Sequence, residues 1–165
     1  MNKFGEDIEL SLKAIPFEDK VYSEIFKAHR NIKRIEHGSE FILDTKFHID
    51  LILSGKNGII TFQEKILRYE NSHYNTFTME YMQNRHTGEE GEFFNIGAQF
   101  YLSGYFNKNE DGLCKWIIIN LPVFMAYPSL MLKHEIKPST SNANFIAWNY
   151  KDIPTECIYK SYNIN

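Results

Sequence analysis

The chain has 165 residues, of which 43% are hydrophobic, and this is enough for one globular domain with a core of its own. Its net charge of −3 excludes a general basic field, so any contact with nucleic acid would need a local patch. No apolar run reaches the roughly 18 residues of a membrane span, and two cysteines without metal-ligand spacing fit a reducing compartment. We therefore expect a single cytoplasmic domain over residues 1–165, with no membrane partner.

A first helix is predicted from Phe17, directly after Pro16, and it is expected to end at Gly38. Its apolar residues recur at steps of three and four: Phe17, Val21, Ile25, Ala28, Ile32 and Ile35. Its outer face carries five cations, namely Lys20, Lys27, Arg30, Lys33 and Arg34. Such a row is either a solvated helix face or a contact for a phosphate backbone.

Two strands joined by a glycine-containing turn are predicted between Phe47 and Leu67. In the first strand, alternation turns Asp50 away from the apolar row. In the second strand, the same alternation places Gln63 and Lys65 on one face. A carboxylate, an amide oxygen and an ammonium group can thus meet at one place, which indicates a site for a hard cation beside a phosphate.

The rest of the chain is predicted as a strand at 76–84, a buried helix from Glu92 to Tyr105, a buried strand at 114–121 and a strand at 145–150. Residues 39–46 either begin the first strand of the hairpin or form a short strand of their own. Glu80, on the polar face of its strand, is either a further acid of the site or a surface residue. Residues 122–165 are expected to form a peripheral extension.

The order helix, three strands, helix, strand, together with Ile49-Asp50 and Gln63-Glu64-Lys65, resembles the PD-(D/E)XK nuclease-like superfamily. The closest variant of that pattern has Gln in place of the acidic residue of the last triplet. Further short matches to phage and bacterial proteins of this class are Glu80-Tyr81, Asn84, Thr87-Gly88, Gly91 and the stretch from Ala98 to Tyr105. The family's proline before Asp50 is absent, and Glu92 stands where a tryptophan is frequent. The resemblance covers roughly residues 17–121 and implies an α+β (α/β) fold with a restriction-endonuclease-like core and a mixed central sheet.

The resemblance also implies metal-dependent hydrolysis of phosphodiester bonds, with DNA as the expected substrate and RNA as an alternative. Asp50, Gln63 and Lys65 would be catalytic, and Asp50 and Gln63 would hold Mg²⁺ or Mn²⁺. In this family a glutamate on the first helix often completes the site, which assigns Glu24 as a further ligand. The alternative for Glu24 is an ion pair with Lys20 or Lys27 on the helix surface.

Two other interpretations stay open. Because Gln63 brings no formal charge, the chain can be a catalytically silent member of the same fold that binds nucleic acid or protein, unless a second acid converges on Asp50. It can also be an unrelated α+β interaction protein, in which Asp50, Gln63 and Lys65 lie apart or face solvent. The motifs GxGxxG, GxSxG and the Walker A loop do not occur, which excludes most dehydrogenases, serine hydrolases and NTPases. A homodimer is compatible with the sequence.

Overall fold

The computed structural model describes residues 3–35, 41–132, 135–138 and 142–164. In chain order the strands are β1 (His29–Arg34), β2 (Leu51–Gly55), β3 (Gly58–Leu67), β4 (Thr76–Asn84), β5 (Glu89–Glu90), β6 (Phe100–Phe106), β7 (Leu113–Asn120), β8 (Glu135–Pro138), β9 (Asn144–Asn149) and β10 (Ile158–Tyr162). The helices are α1 (Lys3–Ile25), α2 (Phe41–Phe47), α3 (Glu92–Asn95), α4 (Leu121–Met125) and α5 (Pro128–Leu132). Among these described residues, no helix has both the length and the apolar character needed to cross a membrane.

The main sheet has the spatial order β1, β2, β3, β6, β7, β10. Strands β3 and β6 run parallel, whereas the other neighbours run antiparallel, so the predicted α+β class and mixed central sheet are confirmed. The hairpin of β2 and β3 forms as its alternation predicts, with Leu51 opposite Phe62 and both side chains fully buried. The strands predicted at 76–84, 114–121 and 145–150 are also present as β4, β7 and β9.

Helix α1 covers one face of the main sheet. Its residues Ala14, Val21 and Tyr22 recur on one side of the helix and are buried in a cluster with Leu51 and Phe62. The rings of Tyr22 and Phe62 are 4.7 Å apart, which fixes the helix directly over β3. The other face of the main sheet is therefore left for the second sheet.

The second sheet is antiparallel, with the order β5, β4, β9, β8. Its inner face carries Phe77, Met79, Ile146 and Trp148, which are buried in one cluster with residues of β6 and β7. Phe77 meets Tyr101 of β6 edge to face at 5.0 Å. Because side chains alternate along a strand, the neighbours of these residues point away from this core.

The first helix differs from the prediction at both ends. Pro16 lies inside α1 rather than before it, and α1 ends at Ile25. The chain then forms the edge strand β1, whose backbone pairs with β2, and this pairing outweighs the helical spacing of Ile32. The predicted cationic helix face is therefore wrong, because Lys33 and Arg34 lie on a strand. Gly38 lies outside the described residues.

The second predicted helix is also largely wrong. Only Glu92–Asn95 is helical, and Phe100–Phe106 forms the central strand β6, paired with β3 and β7. A central strand covered on both faces is apolar throughout, so a short apolar run fits a strand and a buried helix equally well. Gly104 suits this crowded position, because a Cβ there would lie 3.0 Å from Trp116 Cβ and 3.1 Å from the Lys115 carbonyl oxygen. Residues 41–47 are helical as α2, not extended.

The segment 122–165 is not peripheral where the structure describes it. It supplies β9 to the second sheet and β10 to the main sheet. Phe124 and Trp148 are buried in the core, with their rings 4.9 Å apart. The prediction of a peripheral extension is therefore wrong for these described residues.

Candidate functional site

The register of the hairpin places Asp50 opposite Gln63. Leu51 pairs with Phe62 in antiparallel β2 and β3, and the Asp50 backbone N–H donates to the Phe62 carbonyl oxygen at 2.8 Å. Lys65 lies two residues after Gln63 and projects from the same face of β3. The structure thus brings the three residues Asp50, Gln63 and Lys65 to one side of the sheet, away from α1.

Asp50 is held in place by the backbone of β3. Its Oδ2 accepts a hydrogen bond from the Glu64 backbone N–H at 2.8 Å. Burial raises the pKa of Asp50 to about 7; the hydrogen bond from Glu64 lowers this pKa, and the charges of Glu64, Asp44 and Glu92 raise it. A nearby cation would favour the ionised carboxylate that burial disfavours.

The side-chain oxygen of Gln63 is a hydrogen-bond acceptor that lacks a donor in the described part of the chain. Its Oε1 is buried and has no hydrogen-bond partner among the described residues. Leaving such a group unpaired costs about 1–3 kcal/mol. An oxygen of this kind, on the residue opposite Asp50 in the continued strand register, fits a hard cation such as Mg²⁺ or Mn²⁺, which takes oxygen ligands.

Lys65 contacts an acid of α3 and an aromatic ring of β9. Its Nζ lies 3.9 Å from Glu92 Oε1 and 4.7 Å from the ring centroid of Phe145 on β9. Burial raises the pKa of Glu80, while the charge of Lys65 lowers that pKa. The ammonium group, which projects from β3, is therefore held between α3 and β9.

Glu92 and Tyr101 belong to this site, although neither was assigned to it from sequence. Glu92 is buried, and its Oε1 accepts from the Glu80 backbone N–H at 2.8 Å and from the Tyr101 hydroxyl at 3.1 Å. Burial and the charges of Glu92, Asp50 and Glu80 raise the pKa of Tyr101. Three carboxylates from separate elements thus act on one buried hydroxyl. The sequence gives no signal for this, because the contacts depend on how α3 packs on β4.

Glu24 does not join the site. It lies on the exposed side of α1, whereas the helix acid that faces the sheet is Glu18, at 3% exposure. The reason is the phase of the helix, since Ala14, Val21 and Tyr22 define the buried stripe and Glu24 falls outside it. Assigning Glu24 as a metal ligand is therefore not supported by its position.

A second charged cluster lies on the α1 face of the sheet. Arg34 bridges three acids, with Nη2 at 2.7 Å from Asp19 Oδ1 and 3.3 Å from Glu18 Oε2, and with Nη1 in contact with Glu64. Glu64 also accepts from the Tyr22 hydroxyl at 2.7 Å. Burial, with the charge of Glu64, raises the pKa of Glu18 to about 9. Glu64 thus ties β3 to α1 and β1 with its side chain while its backbone holds Asp50.

A cleft of about 740 Å³ opens beside Lys65. One wall is β3 from Glu64 to Leu67, and the other is the outer face of the second sheet. The wall residues on that sheet are Thr76, Thr78, Glu80, Lys137, Phe145 and Ala147, with Asn71 and Tyr74 nearby. We call this the inter-sheet cleft. Leu10 and Ser11 of α1 also line this cleft, through which a ligand has access to Lys65.

The donor set of the site is a carboxylate and an amide oxygen. Within the described ranges, no three His, Cys, Asp or Glu side chains are arranged to hold a metal ion, so a cation at Asp50 would depend on the Gln63 oxygen. Comparisons with models of protein families, with curated proteins and with solved structures find no match for this chain.

Proposed function

We propose that the protein hydrolyses phosphodiester bonds in DNA, with Mg²⁺ or Mn²⁺ bound by Asp50 and Gln63 on a restriction-endonuclease-like core. The observation that carries this proposal is the unpaired, buried Oε1 of Gln63, the residue that lies opposite Asp50 when the register of Leu51 and Phe62 is continued by one position. A structural amide would be expected to have a partner, because buried polar groups are rarely left unpaired.

The residues of the site each have a defined task in this proposal. A bound cation supplies polarisation of the phosphate and a water of lowered pKa. Asp50 and Gln63 hold the cation, and the Glu64 backbone N–H orients Asp50. Lys65 offers its positive charge to a phosphate oxygen, and Glu92 keeps the ammonium group in position. A positioned general acid or base alone contributes about 10²–10⁴-fold to the rate, which is about 3–5 kcal/mol. Enzymes lower reaction barriers by about 8–23 kcal/mol in total, so Lys65 needs the cation.

The test is nicking of supercoiled plasmid with millimolar Mn²⁺ or Mg²⁺, run in parallel on DNA and RNA. Wild type should nick, and Asp50→Asn and Lys65→Ala should each lose nearly all of this activity. Asp111→Asn and Lys108→Ala are the matched controls, because both are exposed and stand on loops outside the site. No nicking by wild type with either metal would reject hydrolysis. Equal loss of activity in the controls would reject the assignment of the site to Asp50 and Lys65.

A catalytically silent protein that binds nucleic acid is the second candidate. It is favoured by the lack of a three-acid group among the described residues and by the neutral ligand Gln63. In this case DNA would be bound without cleavage, and Mn²⁺ would not change the melting temperature of the wild type. Melting curves with and without Mn²⁺ therefore separate the two candidates.

A further inference from the structure

A hollow lies at the end of the main sheet that carries the turn between β2 and β3. It has a volume of about 680 Å³, and its walls come from the loop between α1 and β1, from β1 itself and from this turn. The polar side chains that line it are Lys27, Asn31, Ser54, Lys56 and Asn57. We call it the hairpin-end hollow. It is separate from the inter-sheet cleft, with which it shares no lining residue.

Strand β1 is bulged beside this hollow. His29 pairs with Gly55, the residue directly before Lys56, and the register then shifts before Asn31 pairs with Ser54. Such a shift is a bulge, which bends the strand and leaves one residue outside the ladder. The hollow therefore lies at an irregular end of the sheet edge, where the loop after α1 meets the hairpin turn.

The hairpin-end hollow has a positive charge that is not neutralised within the described chain. Its two ionisable lining residues are both lysines, and no described carboxylate lines it. Neither Lys27 nor Lys56 forms an ion pair with a described residue. Acids lie beside other cations of the described chain, namely Lys13, Arg34, Lys65 and Arg68. In a chain with a net charge of −3, this hollow is the kind of local basic patch that an anionic ligand needs.

Two negative groups precede Lys27 in the sequence, and neither belongs to the hollow. Glu24 is exposed on α1, does not line the hollow and forms no ion pair with Lys27 in the described structure. The C-terminus of α1 at Ile25 carries a partial negative charge, but this effect falls off within the last turn of a helix. Lys27 lies beyond that turn. The charge that a ligand meets at the hollow is therefore that of its two lysines.

The lining fits the phosphates of a nucleic-acid backbone. Lysine ammonium groups bind phosphate as point charges, and serine and asparagine side chains donate hydrogen bonds to phosphate oxygens. The hollow offers both kinds of group, because Asn31, Ser54 and Asn57 stand beside the lysines. No described aromatic side chain lines it, so its contacts suit a sugar-phosphate backbone rather than bases.

The exposure of the lining favours a polymer over a small phosphorylated compound. Sites for small molecules usually cover about 70–90% of the ligand surface. Lys27, Asn31, Lys56 and Asn57 are exposed, so a small compound would keep much of its surface in water. A polyanion instead gains from the release of condensed counterions at each phosphate that a lysine neutralises, and this gain does not need burial.

We infer that the hairpin-end hollow binds the phosphate backbone of DNA, with Lys27 and Lys56 as the phosphate ligands. The inference rests on the proposed function in taking DNA as the ligand. It adds a second contact for the DNA, apart from the site around Asp50, and this contact needs neither the cation nor cleavage. Because backbone contacts carry no base information, binding at this contact is independent of the DNA sequence.

The test measures binding of a fluorescein-labelled duplex DNA oligonucleotide of mixed sequence by fluorescence anisotropy in EDTA, at NaCl concentrations of about 50–200 mM. Wild type should bind, with a log K that falls linearly with log salt. Lys27→Gln and Lys56→Gln should each reduce the steepness of this line by about 0.9, and the double variant by about 1.8. At about 50 mM salt the double variant should bind at least about tenfold more weakly. Both side chains are exposed, so their replacement does not threaten folding, and melting curves verify this.

The matched control is the double variant that combines Lys108→Gln with Lys151→Gln, because it loses the same net charge. Both lysines are exposed, Lys108 on the loop between β6 and β7 and Lys151 shortly after β9. The parallel register of β3 and β6 puts the loop after β6 at the end of the main sheet opposite the hairpin turn. The control should keep the slope of wild type.

Three results overturn the inference: an unchanged slope in the double variant of the hollow, the same reduction in the control, or a wild type that does not bind. Titration calorimetry with inorganic phosphate and with AMP tests a small ligand. Submillimolar binding by wild type that is lost in the double variant of the hollow overturns the inference in favour of a small phosphate compound.

The outcomes also separate the inference from the proposed function. Binding in EDTA with the expected slopes, but without nicking in either metal, supports the inference and rejects hydrolysis. Nicking by wild type, with an unchanged slope in the double variant of the hollow, overturns the inference and leaves hydrolysis standing.

Discussion

Replacing Asp50 by asparagine should stabilise the protein when no metal is present, and the gain should depend on pH. Burial raises the pKa of Asp50 from 3.8 to about 7 in the folded state. Between these two values the folded protein holds a proton that the unfolded chain has lost, so the stability of the wild type falls as the pH rises. Above about pH 7 the full difference of about three pKa units applies, which corresponds to at most about 4 kcal/mol.

Asparagine has no such penalty, because it carries no charge and keeps an oxygen that can accept from the Glu64 backbone N–H. The free energy of unfolding of Asp50→Asn should therefore equal that of wild type at acid pH. It should exceed the wild-type value increasingly up to about pH 7 and then stay about 4 kcal/mol or less above it. Urea unfolding across this range measures the difference. The control is Asp152→Asn, which is exposed and should stay within about 0.5 kcal/mol of wild type at every pH.

The same variant tests the metal site. Above the pKa of Asp50, Mn²⁺ at about 100 times its Kd should stabilise wild type by about 2.7 kcal/mol, whereas Asp50→Asn should gain nothing. A variant that is less stable than wild type at every pH, together with a wild type that does not respond to Mn²⁺, would refute the reasoning. Asp50 would then be a structural acceptor for the β3 backbone.

Four further changes have defined outcomes. Glu18→Gln should stabilise the protein increasingly between pH 4.5 and about 9. Burial raises the pKa of Glu18 from 4.5 to about 9, so the ionised form is disfavoured in the folded protein throughout this pH range. Urea unfolding at a series of pH values measures the difference. Arg34→Met should lower the free energy of unfolding by about 3–5 kcal/mol near neutral pH, since it leaves Asp19 and Glu64 without their cation, and a loss below about 1 kcal/mol would contradict this. Gln63→Met should raise stability in EDTA by about 1 kcal/mol by removing an unpaired acceptor and should abolish the Mn²⁺ effect on the melting temperature; a stable variant that still responds to Mn²⁺ would exclude Gln63 as a ligand. Gly104→Ala should cost about 1–3 kcal/mol in thermal melts by overpacking, whereas Gly112→Ala, whose Cβ would meet the Asn107 side-chain amide at 3.4 Å, should cost less.

The hairpin of β2 and β3 could be predicted because its signals are local. Alternation and a glycine turn fix which side chains share a face, and this is enough to place Asp50 beside Gln63 and Lys65. Strand β1 could not be found in the same way, because the segment His29–Arg34 contains one apolar residue and becomes a strand through its pairing with β2. Pairing partners that are distant in sequence are not encoded in a short window.

The rest of the site shows the same limit. Glu92 meets both Lys65 and Tyr101 only because α3, β3 and β6 are brought together by the fold. Glu18, and not Glu24, is the acid that faces the sheet because tertiary packing decides which side of α1 is buried. Two helix residues that are six positions apart lie on different sides of the helix. Residue types and alternation therefore predict one wall of a site, while the opposite wall depends on tertiary packing.

The two sheets are interleaved along the chain, and this has a consequence for the folding pathway. Strands β3 and β6 pair in parallel, and the chain between them contains β4 and β5. Strand β4 pairs with β9, which is synthesised only after β6 to β8. Such non-local pairings require loop-closure entropy before they gain contacts, so they form slowly. During synthesis β4 emerges with one long edge unpaired, and Phe77 lacks its contact with Trp148 until β9 arrives. This interval is when the nascent chain is most open to aggregation or to capture by a chaperone.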